Sequence, residues 1–151
     1  MVKLKVGDNF PDFNAETLDG EKSLSDFQGK NAVLYFYPKD GTPGCTTEAK
    51  DFRDFKSEFD GLNTEIIGIS TDSIKSHKKF TDKYDLNFTL LSDRSKVLCS
   101  ACGVKGFSGV VAKRTTFLLD PQGKIKYIWE NVKAKGHAEN VLKKIKELDL
   151  K

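Results

Sequence analysis

Ala32-Val33-Leu34-Tyr35-Phe36-Tyr37-Pro38-Lys39-Asp40-Gly41-Thr42-Pro43-Gly44-Cys45-Thr46-Thr47-Glu48 is the stretch from which the fold is read. Its first five residues are an unbroken apolar run, the pattern of a strand buried on both faces. Two prolines and two glycines then force a tight, non-regular turn. From Glu48 onward, Phe52, Phe55 and Phe59 recur at the spacing of one helical face. Cys45 is therefore delivered to the first turn of a helix at the carboxyl end of a strand, where an α/β sheet places its chemistry. Unpaired N–H groups and the positive end of the helix dipole favour a thiolate there. Thr42 puts a hydroxyl into the same turn, and Pro38 and Pro43 remove two backbone donors and stiffen the loop. The alternative for Cys45 is a small buried hydrophobe at a helix start.

Working outward, Thr64 to Ser70 is β-branched and apolar enough for a central strand. Asp72-Ser73 caps a helix from Ile74 to Tyr84, with Ile74, His77, Phe80 and Tyr84 on one side. Strand, helix and strand make a βαβ crossover with parallel strands. Asn87 to Leu91 is a short strand, and Ser92-Asp93 caps a helix from about Ser95 to Cys102 that Gly103 ends. A loop follows over 105–111, with Phe107 at the approach to the site. Thr115–Leu119 and Ile125–Glu130 flank the turn Asp120-Pro121-Gln122-Gly123 as a hairpin. Gly136 introduces a closing helix with Val141, Leu142, Ile145 and Leu148 inward and His137 on the surface. Upstream, Leu18-Asp19-Gly20-Glu21 is a hairpin turn, and Gly29 stops a helical turn that starts at Ser23. This order is α/β, with a central mixed β-sheet flanked by helices.

A chain of 151 residues holds one well-buried core, so residues 1–151 are expected to form a single domain. Its net charge of +3 comes from interspersed acids and bases, which gives no case for a nucleic-acid or membrane partner. Lys133-Ala134-Lys135 and Lys143-Lys144-Ile145-Lys146 read as solvated helix-face charge. With neither a signal-peptide pattern nor a bilayer-length apolar run, the expected location is cytoplasmic. Three cysteines without an export signal argue for thiol chemistry over a disulfide scaffold. Cys99-x-x-Cys102 has the spacing of half a zinc site, but no second pair follows and His77 and His137 are isolated, so neither metal nor cofactor is expected.

Pro38-x-x-x-Thr42-x-x-Cys45 resembles the peroxiredoxin active-site motif, and Gly41 to Glu48 looks like the bacterioferritin-comigratory-protein (PrxQ-like) branch. The resemblance runs in register through Val6 to Phe13, Ile67 to Asp72, Leu91-Ser92-Asp93, Arg114 to Asp120 and Gly123-Lys124-Ile125. It implies a thioredoxin-like fold and a thiol-dependent peroxidase for antioxidant defence, acting on hydrogen peroxide and organic hydroperoxides. Cys45 is then the peroxidatic cysteine, passing through a sulfenic acid. Arg114 matches the family's arginine and Glu48 its glutamate, Pro38 shields the sulfur, and Thr42 holds the peroxide. Thioredoxin or a similar donor is the implied reductant, and the branch implies a monomer or weak homodimer.

The chain departs from the branch in recycling. Many members carry a resolving cysteine five residues after the peroxidatic one, where this chain has Lys50, and the helix from Ile74 to Tyr84 has none. Cys99 and Cys102 share one side of their helix. Three schemes are open. One of the two resolves Cys45 through a disulfide, which is the favoured expectation; the pair takes the oxidation over by exchange; or both are core residues and an external thiol reduces a one-cysteine enzyme. A separate alternative makes the chain a thioredoxin-like disulfide exchanger working through Cys99 and Cys102.

Overall fold

Alternation along one strand organises the molecule. In β3 (Asn31–Phe36), Ala32, Leu34 and Phe36 face one core while Val33, Tyr35 and Tyr37 face another, because successive side chains point to opposite sides of a sheet. The computed structural model describes residues 2–106 and 109–150. Phe107 lies outside the described residues.

Strands β1 (Asn14–Thr17) and β2 (Gly20–Ser23) form the early hairpin, and a 3-10 helix, Leu24–Phe27, leads into β3. β3 runs parallel to β4 (Thr64–Ser70), and β4 runs parallel to β5 (Thr89–Ser92). On the other side of β3 lie β6 (Thr115–Leu119), antiparallel to β3, and then β7 (Ile125–Trp129), antiparallel to β6. Among the described residues these make one mixed sheet of order β2-β1-β5-β4-β3-β6-β7.

Among the described residues five α-helices flank the sheet: α1 (Pro43–Asp54), α2 (Lys56–Gly61), α3 (Ile74–Tyr84), α4 (Val97–Cys102) and α5 (His137–Glu147). Cys45, Ala49 and Phe52 of α1, Phe59 of α2, Phe80 of α3, and Val141, Leu142 and Ile145 of α5 pack with Tyr35 and Tyr37 in one core. Leu98, Cys99 and Cys102 of α4 pack with Phe10, Leu34, Phe36 and Phe117 in the other.

Most elements lie where the pattern predicts, with four differences. The helix read through Phe59 is broken at Phe55, so Phe52 and Phe59 bury fully and Phe55 partly. α4 starts at Val97 because Lys96 takes a left-handed conformation, and Asp93 caps it from a distance by accepting from the N–H groups of Leu98 and Cys99. Leu148, just past α5, is exposed. His137 is buried, for a reason that belongs to the site.

Candidate active site

Tyr37 prolongs β3 by one bond, its N–H donating to the Ile69 carbonyl at 3.0 Å. Half-buried Pro38 follows, and the turn reverses through Gly41 at φ +79°, a backbone conformation that favours glycine. Pro43 is the first residue of α1, where a missing N–H costs nothing. Thr42 is the N-cap residue, but its hydroxyl donates to the Lys39 carbonyl at 2.8 Å and does not cap. The N–H groups of the first turn, those of Gly44 and Cys45 among them, therefore have no side-chain cap.

Cys45 is 1% exposed, and its Sγ accepts a hydrogen bond from Nη2 of Arg114 at 3.4 Å. The register explains the meeting. Thr115 pairs with Phe36 across β3 and β6, so Arg114 stands at the mouth of the turn that leaves β3. Its Nη1 donates to Oε1 of Glu48 at 2.6 Å, so one guanidinium fork spans the sulfur and a carboxylate on the same helix. Glu48 is fully buried, and its Oε2 has no hydrogen-bond partner among the described residues. Burial pushes the Glu48 carboxyl up to about 7, against the opposing pull of Arg114.

Gly44 supplies room for this contact. A Cβ on it would lie 3.0 Å from Nη2 of Arg114, so the guanidinium reaches the sulfur across a bare backbone. Behind Arg114, the His137 ring meets Thr116 Oγ1 through Nε2 at 2.8 Å and stands edge-on to Phe52 and Trp129. Burial, with the Arg114 charge second, pushes His137 down to about 4. The surface position expected for His137 is thus corrected: Gly136 turns the chain so that the helix start points inward under β6.

Comparison with known proteins bears on this geometry. Residues 6–128 match the AhpC/TSA family model. Peroxiredoxin Bcp of Bacillus subtilis is 42% identical over 159 residues, covering 99% of this chain and 100% of that one. The chain belongs to the peroxiredoxins. PrxQ of Xylella fastidiosa, solved as a cysteine-to-serine variant, superposes with a TM-score of 0.92 at 36% identity, covering 99% of each chain. The bacterioferritin comigratory protein of Xanthomonas campestris, whose structures were solved to explain its alkyl peroxide reduction activity, gives a TM-score of 0.87 at 37% identity, covering 98% of this chain and 99% of that one. The thioredoxin-like fold and the branch expected from the motifs are both borne out.

This peroxiredoxin brings Cys45, Arg114 and Glu48 into one contact chain and sets Thr42 three residues before the sulfur. It does not bring Cys99 or Cys102 there. Both are buried on the far side of the sheet, in the core formed by Leu34 and Phe36, whereas Cys45 packs with Tyr35 and Tyr37. Burial pushes the Cys99 thiol well above the ordinary range, with the nearby Asp93 adding to it, and the Cys102 thiol up to about 12 for the same two reasons. All three cysteines are free. The expected bond from Cys99 or Cys102 to Cys45 would need local unwinding to bring thiols from these two cores within the reach of a disulfide, at most about 7 Å between Cα atoms.

The sequence reading missed Gly44 and Asp40. Gly44 read as a turn glycine, its second role being set by an arginine 70 positions away. Asp40 carries no signal in the sequence beyond its place in the turn, yet its carboxylate is held from three sides.

Proposed function

We propose that Cys45 is the thiol oxidised by hydroperoxide in this thiol-dependent peroxidase, with Arg114, Thr42, Glu48 and Pro38 completing the site. The observation that carries the reading is the Arg114 fork, which gives one N–H to the Cys45 sulfur and another to a buried carboxylate. The thiolate attacks the terminal oxygen of the peroxide. An S–O bond forms, the O–O bond breaks, and the leaving oxygen takes a proton to depart as water or alcohol. Negative charge moves from sulfur onto that oxygen, and a fixed cation with the open amides of α1 stabilises it at both ends of the transfer. Thr42 and those amides hold the peroxide in line with the sulfur, and Pro38 walls the turn from solvent.

The reductive half-reaction is assigned to an external thiol, thioredoxin or a similar donor. A thiol attacks the Cys45 sulfenic acid, water leaves, and a second thiol breaks the mixed disulfide. The burial of Cys99 and Cys102 on the opposite side of the sheet favours this one-cysteine scheme over resolution within the chain. The same burial argues against a disulfide exchanger working through that pair.

Peptide mapping after one equivalent of hydrogen peroxide, beside Cys45→Ser, Cys99→Ser and Cys102→Ser, tests both halves. Sulfenic acid trapped on Cys45 alone, with Cys99 and Cys102 still alkylatable, is the expected result. A disulfide from Cys45 to either thiol overturns the external-thiol scheme. No oxidation at Cys45 overturns the whole reading.

A further inference from the structure

Asp40 lies between Pro38 and Thr42, in the turn that leads to Cys45, and its side chain points away from that turn's solvent face. Oδ1 accepts from the Tyr37 hydroxyl at 2.6 Å. Oδ2 accepts from the Ser76 hydroxyl at 2.9 Å and meets Nδ1 of His77 at 2.7 Å. The Asp40 N–H donates to Oδ2 of Asp72 at 2.8 Å, and Asp72 is itself held by the Ser70 hydroxyl. His77 is fully buried, and its Nε2 faces the Leu91 carbonyl at 3.0 Å. One aspartate thus ties the turn to the end of β3, to α3, and through its neighbours to the ends of β4 and β5.

Three features separate this cluster from ordinary loop chemistry. Its carboxylate is 4% exposed, so its bonds are not shared with solvent. Two of its three carboxylate partners, Ser76 and His77, come from α3, far away in sequence, which no local turn requires. Nε2 of His77 faces a carbonyl, which only accepts, so that nitrogen carries a proton, and the Nδ1–Oδ2 contact needs a second proton between the two groups. Of the three potential cation ligands of the cluster, Asp40 and His77 spend their facing atoms on each other, and Asp72 Oδ2 accepts from the Asp40 N–H and the Ser70 hydroxyl.

We propose that Asp40, backed by His77, Ser76 and Tyr37, is a positioning residue that fixes the peroxidatic turn and thereby the place of the Cys45 sulfur under Arg114. The proposal rests on Cys45 being the thiol that peroxide attacks. Asp40 is the last point held by distant elements before α1 begins; Thr42, next along, binds only within the turn. With Asp40 released, the first turn of α1 moves as a unit, and the 3.4 Å contact between sulfur and guanidinium is the first to be lost. A docked turn favours the peroxide step, and a released turn favours access of bulky reagents to a sulfur that is otherwise 1% exposed.

Two rates are expected to move in opposite directions. Asp40→Ala should slow sulfenic acid formation on Cys45 by hydrogen peroxide roughly ten- to hundredfold, the usual effect of misplacing a reacting group by about an ångström. The same variant should speed alkylation of Cys45 by iodoacetamide severalfold. Asp40→Asn should restore most of the peroxide rate. Its amide can donate to a neutral His77 Nδ1 while its oxygen accepts from Tyr37, so the turn stays tied without the charge. Tyr37→Phe removes one bond with no loss of volume and should give a smaller change of the same two signs. Quenched-flow peptide mapping reads both rates on Cys45 itself. Unchanged rates in Asp40→Ala and Tyr37→Phe overturn the proposal, as does an Asp40→Asn protein as slow as the alanine variant, which would make charge the operative property. Wild-type protein unoxidised at Cys45 would instead mark failure of the underlying site reading.

Discussion

Arg114 serves two acceptors with one rigid fork, and lysine cannot copy that. A guanidinium offers fixed N–H vectors to Cys45 Sγ and Glu48 Oε1 together, whereas an ammonium is a point charge that must choose between them. Arg114→Lys is expected to lower kcat/KM for hydrogen peroxide by about a hundredfold, in the range found when one donor to a developing negative charge is lost. A loss under threefold in steady-state assays would contradict this. Gly44→Ala tests the same contact from the backbone side. The added Cβ sits 3.0 Å from Nη2 and pushes the guanidinium outward, while alanine is the better helix former. The expected outcome is a peroxide rate roughly tenfold lower with thermal stability equal to wild type or better, read by kinetics and a melting curve on the same sample. Cys45, Thr42 and Pro38 were legible because their relation is local in sequence. Arg114 and Glu48 were legible only through the family motif, since no periodicity ties position 114 to position 45. Gly44 and Asp40 depend on partners that folding supplies.

At the level of elements, the chemistry proposed for α1 depends on a cap that is withheld. Because the Thr42 hydroxyl donates to Lys39, it does not consume the amides of the first turn. Thr42→Val keeps the shape and removes the hydroxyl, and should cost one to two orders of magnitude in kcat/KM, whereas Thr42→Ser should retain most of it; equal losses in the two would rule the hydroxyl out. α4 gives the opposite case, a helix whose two thiols are buried in an apolar core and which the external-thiol proposal reads as packing residues. Cys102→Ser places a hydroxyl in an apolar core and should lower unfolding free energy by about 1–3 kcal/mol while the Cys45 oxidation rate stays within twofold. A lost rate with intact stability would restore a redox role to α4. Helical spacing put Cys99 and Cys102 on one side of their helix correctly. It carried no information on which face of the sheet that side would meet. That choice is made by where the chain crosses the sheet edge, and it sets Cys99 and Cys102 in the core opposite the one that holds Cys45.

Across the whole molecule, Glu48 and His137 flank Arg114 and titrate against each other. Glu48 is buried with a carboxyl raised from 4.5 to about 7, so its contribution to stability is fully present below pH 4.5 and is lost as pH rises through 7. His137 is buried with an imidazole lowered from 6.5 to about 4, so its contribution is present above pH 6.5 and is lost as pH falls through 4. Each effect is about 3 kcal/mol in full. Between pH 4.5 and 6.5 their slopes are opposite and nearly equal, and the pair leaves wild-type stability almost flat there. Removing one partner should expose the other. Glu48→Gln keeps an acceptor for Arg114 and should become more stable as pH rises across this window. His137→Gln keeps a polar atom facing Thr116 and should become less stable over the same range. Urea unfolding at half-unit pH steps measures all three curves, and variant curves that run parallel to wild type would show that neither group is held away from its ordinary titration.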